Sequence, residues 1–175
     1  LRVSYLHPNE FDNNPASVGV PLLSMSVKVK DNELLISGNS IMKGYYNNPK
    51  ATAHVKQDGW LHTGDIAEID EHGRIYIKCR KDNMIIRAGL NIYPQEIENA
   101  LKENEYITDV LAYGVKNDTV SEKICIKVVT SLDKPEVYKI CKQKLLSYEL
   151  PDFIDIVDEI PKNASGKVIR EVEAT

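Results

Sequence analysis

Residues 79–94 read C-R-K-D-N-M-I-I-R-A-G-L-N-I-Y-P, and how they are read decides how the chain divides. Three charged residues, Arg80, Lys81 and Asp82, come first. Two short apolar runs follow at 84–86 and 90–93, separated by Arg87-Ala88-Gly89. The pattern predicts a tight β-hairpin with glycine at its tip, because glycine reaches positive φ without steric cost. Tyr93-Pro94 then opens a helix, since proline suits the first helical position. A charged strand exit feeding a separate hairpin forms a joint between two globular units. Taken alone, the stretch reads more simply as an ordinary polar loop between hairpins. Its surroundings decide otherwise.

On the N-terminal side the pattern has a period of two. Residues 25–30 and 33–37 alternate around Asp31-Asn32, a turn dipeptide that predicts a hairpin. Residues 39–48 carry Gly44 beside Tyr45-Tyr46 and break at Asn47-Asn48-Pro49, and a short helix is expected over 50–55. Residues 66–69 and 74–77 pair across Asp70-Glu71-His72-Gly73 as a second hairpin. Beyond Pro94 the period becomes helical. Ile97, Ala100 and Leu101 share one face, and over 135–146 Val137, Ile140, Cys141 and Leu145 form a stripe opposite Lys139, Lys142 and Lys144. Residues 110–115, 124–129 and 154–157 read as strands. The fold class is therefore α+β: a β-rich unit over residues 1–79, then an α+β unit over 83–175 with helices packed on a small sheet. Residues 161–167, P-K-N-A-S-G-K, read as a polar, flexible tail.

A chain of 175 residues can hold one medium domain or two small ones, each with a real core. With 42% hydrophobic and 27% charged residues, disorder is not expected. A net charge of -4 makes no electrostatic case for nucleic acid or an anionic membrane, and no apolar run is long enough to span a bilayer. Cys79, Cys125 and Cys141 lack C-x-x-C spacing, so buried free thiols and a cytoplasmic location are expected. His7, His54, His62 and His72 pair with nothing at zinc-ligand spacing. The chain begins in mid-pattern without Met, so a piece of a longer protein is expected.

Three residues have the chemistry of a site, each with a plainer alternative. Asp65, after Thr63-Gly64, can accept hydrogen bonds from a sugar diol, or it simply closes a turn. Arg80 can offer its planar donors to the same diol or to a phosphate, or it is a solvated cation beside Lys78 and Lys81. Lys167, in Ser165-Gly166-Lys167, can approach a phosphate closely, or it is an idle surface lysine. The spacing of a P-loop is absent.

Taken together, W-L-H-T-G-D (60–65), R-K-D (80–82), G-L-N-I-Y-P (89–94), E-I-E (96–98) and N-A-S-G-K (163–167) occur in an order that resembles the C-terminal part of the acyl-adenylate-forming enzymes. That superfamily includes acyl-CoA synthetases, peptide-synthetase adenylation domains and luciferases. The resemblance runs from about Val18 almost to the end. Residues 33–44, with Tyr45-Tyr46 and Asn48-Pro49, are similar to the family's β-barrel segment.

The resemblance implies roles. Asp65 would bind the ribose hydroxyls of ATP and of the acyl-adenylate, with Arg80 as a second ribose or phosphate ligand. Residues 80–82 would be a hinge, with Asp82 the residue about which the C-terminal domain swings between half-reactions. Lys167 would bridge the acyl carboxylate and the α-phosphate during adenylation. Gly89 would lie on a hairpin beside the thiol's approach path. ATP (with Mg), CoA and a small carboxylic acid are the implied cofactors and partners. Cys79 replaces the family's usual Gly before the hinge Arg, and Asn32 the Gly often found before Glu33. The family's phosphate loop, adenine-stacking motif and acyl pocket precede the matched region, so the chain is expected to be inactive alone and to self-associate through its β-rich unit.

Leu61 stands where peptide-synthetase domains usually carry Tyr, and N-I-Y-P is typical of CoA ligases. The implied activity is an AMP-forming acid–CoA ligase. A carrier-protein-loading ligase is the rival within the family, and a non-catalytic nucleotide- or partner-binding module is the rival outside it.

Overall fold

The computed structural model describes residues 2–116 and 121–170. The chain forms two compact units, Leu1–Asp82 and Asn83–Thr175.

The first unit is built on one antiparallel sheet of five strands. Met25–Lys30 and Glu33–Gly38 form the expected hairpin, and both turn residues, Asp31 and Asn32, have positive φ. Their short side chains can hydrogen-bond locally, which makes the left-handed conformation accessible. Trp60–Ile69 is the organising strand. Its first half pairs with Glu33–Gly38 and the short Lys56–Gln57, and its second half pairs with Ile75–Arg80. The predicted helix is Pro49–Val55, with Asn48 capping it by accepting from the Ala51 N–H at 3.0 Å. The core is small: Leu34, Ile36, Ala67 and Ile75, with Val3, Val27, Ile41, Leu61 and Ile69 against it.

The second unit opens with the central hairpin, Ile85–Arg87 with Leu90–Ile92. Ile85 and Ile92 point into the unit's own core. Pro94–Lys102 follows directly as a helix, burying Ile97 and Leu101. A three-stranded sheet carries Ile107–Val115 antiparallel to Lys123–Thr130, and Phe153–Ile156 parallel to the latter. The parallel connection runs through the helix Lys134–Lys144, which starts with a reciprocal capping box between Asp133 and Glu136. Val137, Ile140 and Cys141 are buried, as the stripe predicts. All three cysteines are buried and outside any disulfide, and burial pushes the Cys141 pKa up to about 11.

Two readings need correction. The strand expected at residues 66–69 is longer: the ladder continues past a bulge, so Asp65 lies inside the ten-residue strand Trp60–Ile69. Residues 161–167 are not a loose tail. Asn163 closes them into a hydrogen-bonded loop, and Lys162 bridges Val168.

Candidate functional site

In the first unit the site is made by the bulge in Trp60–Ile69. Leu35 pairs with His62 and Glu33 with Ile66, so Thr63, Gly64 and Asp65 together oppose the single residue Leu34. Such a bulge bends the strand and re-aims its side chains. Thr63 stitches it, its hydroxyl donating to the Leu34 carbonyl at 2.8 Å and accepting from the Asp65 N–H at 3.0 Å. Gly64 sits at φ +71. A β-carbon there would meet the Arg80 guanidinium at 2.9 Å, so only glycine gives both the conformation and the space.

Asp65 and Arg80 are register partners on adjacent strands. Arg80 Nη1 donates to the Thr63 carbonyl at 2.8 Å and lies 3.4 Å from Asp65 Oδ1. Asp82, in the 3₁₀ turn Lys81–Asn83, brings its carboxylate to 3.6 Å from Arg80 Nη2. The structure thus brings Asp65, Arg80 and Asp82 together. Arg80 is half exposed and Asp65 a third exposed, so both retain surface for a ligand. Arg80, Asp82, Lys81, Lys30, His54 and Tyr45 line one open cleft of about 690 Å³.

Beneath this cleft lies a carboxylate that the sequence reading did not single out. Glu33 is only 7% exposed. Its Oε1 accepts the Gly64 N–H at 3.0 Å, and its Oε2 faces Lys81 Nζ at 3.2 Å and His62 Nδ1 at 3.3 Å. Burial pushes its pKa up, but the Gly64 N–H, Lys81 and His62 outweigh burial and hold the carboxyl below its ordinary value. One carboxylate therefore fixes both the glycine of the bulge and the residue preceding Asp82. The sequence signal for it was a glutamate heading the apolar run Leu34-Leu35-Ile36.

Gly89 and Lys167 belong to the second unit, on separate segments. Gly89 is at the tip of the central hairpin with φ +81, following Ala88 at φ +50. Its β-carbon position meets nothing within 4 Å, so a side chain there would project outward. The hairpin is fastened to its unit. Ile86 N–H donates to Glu122 Oε2 at 2.8 Å, and Arg87 reaches the Leu150 carbonyl at 2.8 Å and Asp152 at 3.1 Å. Lys167 is exposed, on a loop tied by Asn163. Asn163 Oδ1 accepts from the Ser165 N–H, the Ser165 hydroxyl and the Lys167 N–H at 3.0, 2.7 and 2.9 Å, and Gly166 takes φ +79 to complete the turn. An ammonium on a closed loop loses less entropy when it meets an anion than one on a free tail.

Residues 96–167 match the AMP-binding enzyme C-terminal domain family. The chain is 35% identical to a long-chain-fatty-acid–CoA ligase of Escherichia coli O6:H1 over 94% of its own length and 32% of that protein's. To the long-chain-fatty-acid–CoA ligase of Bacillus subtilis it is 36% identical, over 90% of this chain and 31% of the relative. The chain thus spans about a third of the length of the curated relatives it matches. Its structure is similar to that of o-succinylbenzoate CoA synthetase from Bacillus subtilis in complex with its acyl-adenylate intermediate, with a TM-score of 0.88 at 28% identity over 97% of this chain and 38% of that one. It is also similar to an amide bond synthetase from Marinactinospora thermotolerans, with a TM-score of 0.85 at 25% identity over 96% of this chain and 37% of the other.

Proposed function

The chain belongs to the AMP-binding enzymes, the acyl-adenylate-forming ligases, and on that premise we propose that it is part of an acid–CoA ligase. The observation that carries this reading is the similarity of 94% of the chain, across both units, to proteins named CoA ligases. In the first half-reaction a carboxylate oxygen attacks the α-phosphorus of ATP and pyrophosphate leaves. In the second the thiol of CoA attacks the acyl carbonyl and AMP leaves.

The proposed parts are a β-rich portion of the large domain over 1–79, a hinge at 80–82 and a mobile domain over 83–175. Asp65 accepts hydrogen bonds from the ribose hydroxyls, and the Arg80 guanidinium donates to the ribose or a phosphate. Their mutual contact at 3.4 Å is long enough to yield to a ligand without a large loss. Lys167 places positive charge where the pentacovalent phosphorus gathers negative charge, the kind of stabilisation that dominates such transfers. Gly89 leaves room for the thiol, and Asp82 carries the backbone rotation. Mg²⁺ would enter on the ATP phosphates. Among the described residues no cluster of three or more His, Cys, Asp or Glu side chains is placed to hold a metal. Three buried thiols suit a reducing compartment, and we place the protein in the cytoplasm.

One observation favours keeping a second reading of the acceptor. A structure this similar bears the name amide bond synthetase, so an acceptor other than CoA, including a carrier-protein thiol, fits the same fold. Comparing free CoA, carrier protein and an amine as acceptors separates these readings.

The test uses the protein that carries this chain. Lys167→Ala should slow pyrophosphate release from acid plus ATP by about 10²–10³. It should leave thioester formation from supplied acyl-adenylate within a few-fold. Gly89→Trp and Asp82→Pro should do the reverse. If Lys167→Ala slows both steps equally, the assignment fails. If no variant and no acid yields pyrophosphate, the chain is a non-catalytic module.

A further inference from the structure

The loop that carries Lys167 is closed, but a closed loop can still swivel as a body about its two stems. Its N-terminal stem is fixed by Ile160, which is 5% exposed. Its C-terminal stem is fixed by charge. Arg170, three residues beyond Lys167, meets Glu98 with two parallel contacts, Nη1 to Oε1 at 2.6 Å and Nη2 to Oε2 at 3.0 Å. Arg170 Nη1 also donates to the Ala112 carbonyl at 3.0 Å, and the Ala112 N–H donates to Glu98 Oε1 at 2.9 Å. The Glu98 side chain is 9% exposed and that of Arg170 22%. This is a fork-to-fork guanidinium–carboxylate pair, the geometry that fixes direction as well as distance.

We infer that Arg170 and Glu98 are positioning residues for adenylation: their clasp sets the direction in which the loop presents the Lys167 ammonium. The inference rests on the reading of Lys167 as the adenylation lysine, and extends it to two residues that touch no substrate. Three observations support a role in positioning over one in folding. The main core cluster of the second unit is assembled from residues 85–141, with Leu132, Leu145, Leu150 and Ile154 packed against it, and among the described residues Ile160 is the last buried apolar side chain, ten residues before Arg170. The backbone bonds of the loop, Asn163 N–H to the Lys167 carbonyl at 2.9 Å and Ile169 N–H to the Pro161 carbonyl at 2.9 Å, hold its shape without Arg170. The clasp therefore adds what these bonds cannot, an attachment of the loop to the helix Pro94–Lys102 and the strand Ile107–Val115. Its two parallel contacts restrain the stem in direction as well as distance.

The test compares Arg170→Gln, Arg170→Lys and Lys167→Ala in the protein that carries this chain. Pyrophosphate release is followed from acid plus ATP, and thioester formation from supplied acyl-adenylate. A displaced catalytic group costs roughly 10- to 100-fold. Arg170→Gln should lower kcat for pyrophosphate release by that factor, with KM for ATP little changed. Thioester formation from the adenylate should stay within about twofold of the parent protein, well short of that factor. Arg170→Lys, which keeps the charge but loses the fork, should recover only part of the rate. Adding Arg170→Gln to Lys167→Ala should have little further effect, because the two act through one ammonium. Backbone ¹⁵N relaxation on the chain itself should show residues 163–169 more mobile in Arg170→Gln. If Lys167→Ala cripples adenylation and Arg170→Gln does not, the clasp is refuted and the reading of Lys167 stands. If Lys167→Ala itself leaves adenylation intact, that underlying reading is what fails. If Arg170→Gln and Arg170→Lys depress both half-reactions equally and lower the melting temperature, Arg170 is structural and the inference is overturned.

Discussion

Replacing Gly64 by alanine tests the bulge that aims Asp65 and Arg80. At φ +71 an L-residue is in the left-handed region, which costs about 1–2 kcal/mol. The new methyl would lie 2.9 Å from Arg80 Nη2 and 3.2 Å from Cζ, so the guanidinium must swing away. It then loses its 2.8 Å bond to the Thr63 carbonyl. Because Arg80 is 49% exposed, water replaces most of that bond and the net loss is about 1 kcal/mol. The total is about 2–3 kcal/mol, which for a unit of this size lowers the melting temperature by roughly 10–20 °C. Thermal unfolding followed by circular dichroism reads it. The decisive form is a double-mutant cycle with Arg80→Ala. If the guanidinium is the obstacle, Gly64→Ala should cost about 1 kcal/mol less once Arg80 is gone. An identical cost in both backgrounds would show that only backbone strain is at work, and that Gly64 does not shape the seat of Arg80.

Ala88→Asn should stabilise the second unit by about 0.5–1 kcal/mol, because Asn-Gly fits two successive positive-φ positions better than Ala-Gly; an unchanged urea midpoint would count against it. Acid should weaken the first unit through Asp70. Partial burial pushes this carboxyl up, but the Arg74 side chain at 2.7 Å and the Arg74 and His72 N–H groups hold it at about 2, below its ordinary 3.8. A carboxyl with a depressed folded pKa contributes stability above its unfolded pKa and loses it as pH falls toward the folded one, so the loss should span about pH 4 to 2. Glu33 acts with the same sign. Asp70→Asn should flatten this acid limb in denaturation between pH 2 and 5, and an unchanged slope would refute the assignment. The exposed Leu23 and Tyr46 should drive self-association. Light scattering should show oligomers that Leu23→Ser reduces, and a monomer at high concentration would exclude them.

The elements were legible where local chemistry and burial agree. Asp31-Asn32 specified its hairpin because both residues tolerate the left-handed region, and the stripe of Val137, Ile140 and Cys141 specified its helix because one face is buried. The bulge at Thr63-Gly64-Asp65 was not legible, since it depends on Leu34 of another strand, and periodicity carries no register between strands. The same reason hid Glu33, whose partners Gly64 and Lys81 lie 31 and 48 residues away. Residues 161–167 looked loose because their composition is polar. Asn163, however, is a side chain that accepts three hydrogen bonds within four residues, and that closes the loop. Glu98 was visible in the sequence within E-I-E and Arg170 only as a charge, and their pairing joins chain segments 72 residues apart.

The same long-range bonds bear on where a hinge could turn. Arg80 is held to Thr63 and Asp65, and Lys81 to Glu33, so the end of the strand Ile75–Arg80 is pinned within the first unit. On the other side Ile85 is 1% exposed and packs in the core of the second unit. Between them, Asp82 has one weak contact with Arg80 at 3.6 Å and a side chain 72% exposed. Within the proposed hinge at 80–82, a backbone rotation at Asp82 would therefore disturb fewer side-chain contacts of the first unit than one at Arg80 or Lys81. Glu33 adds a consequence. Its Oε1 holds the bulge glycine while its Oε2 holds the residue before Asp82, so any ligand that shifts the bulge also loads the pinned side of the proposed hinge. On the proposed reading, a nucleotide on Asp65 and a rotation at Asp82 would both bear on this one buried carboxylate.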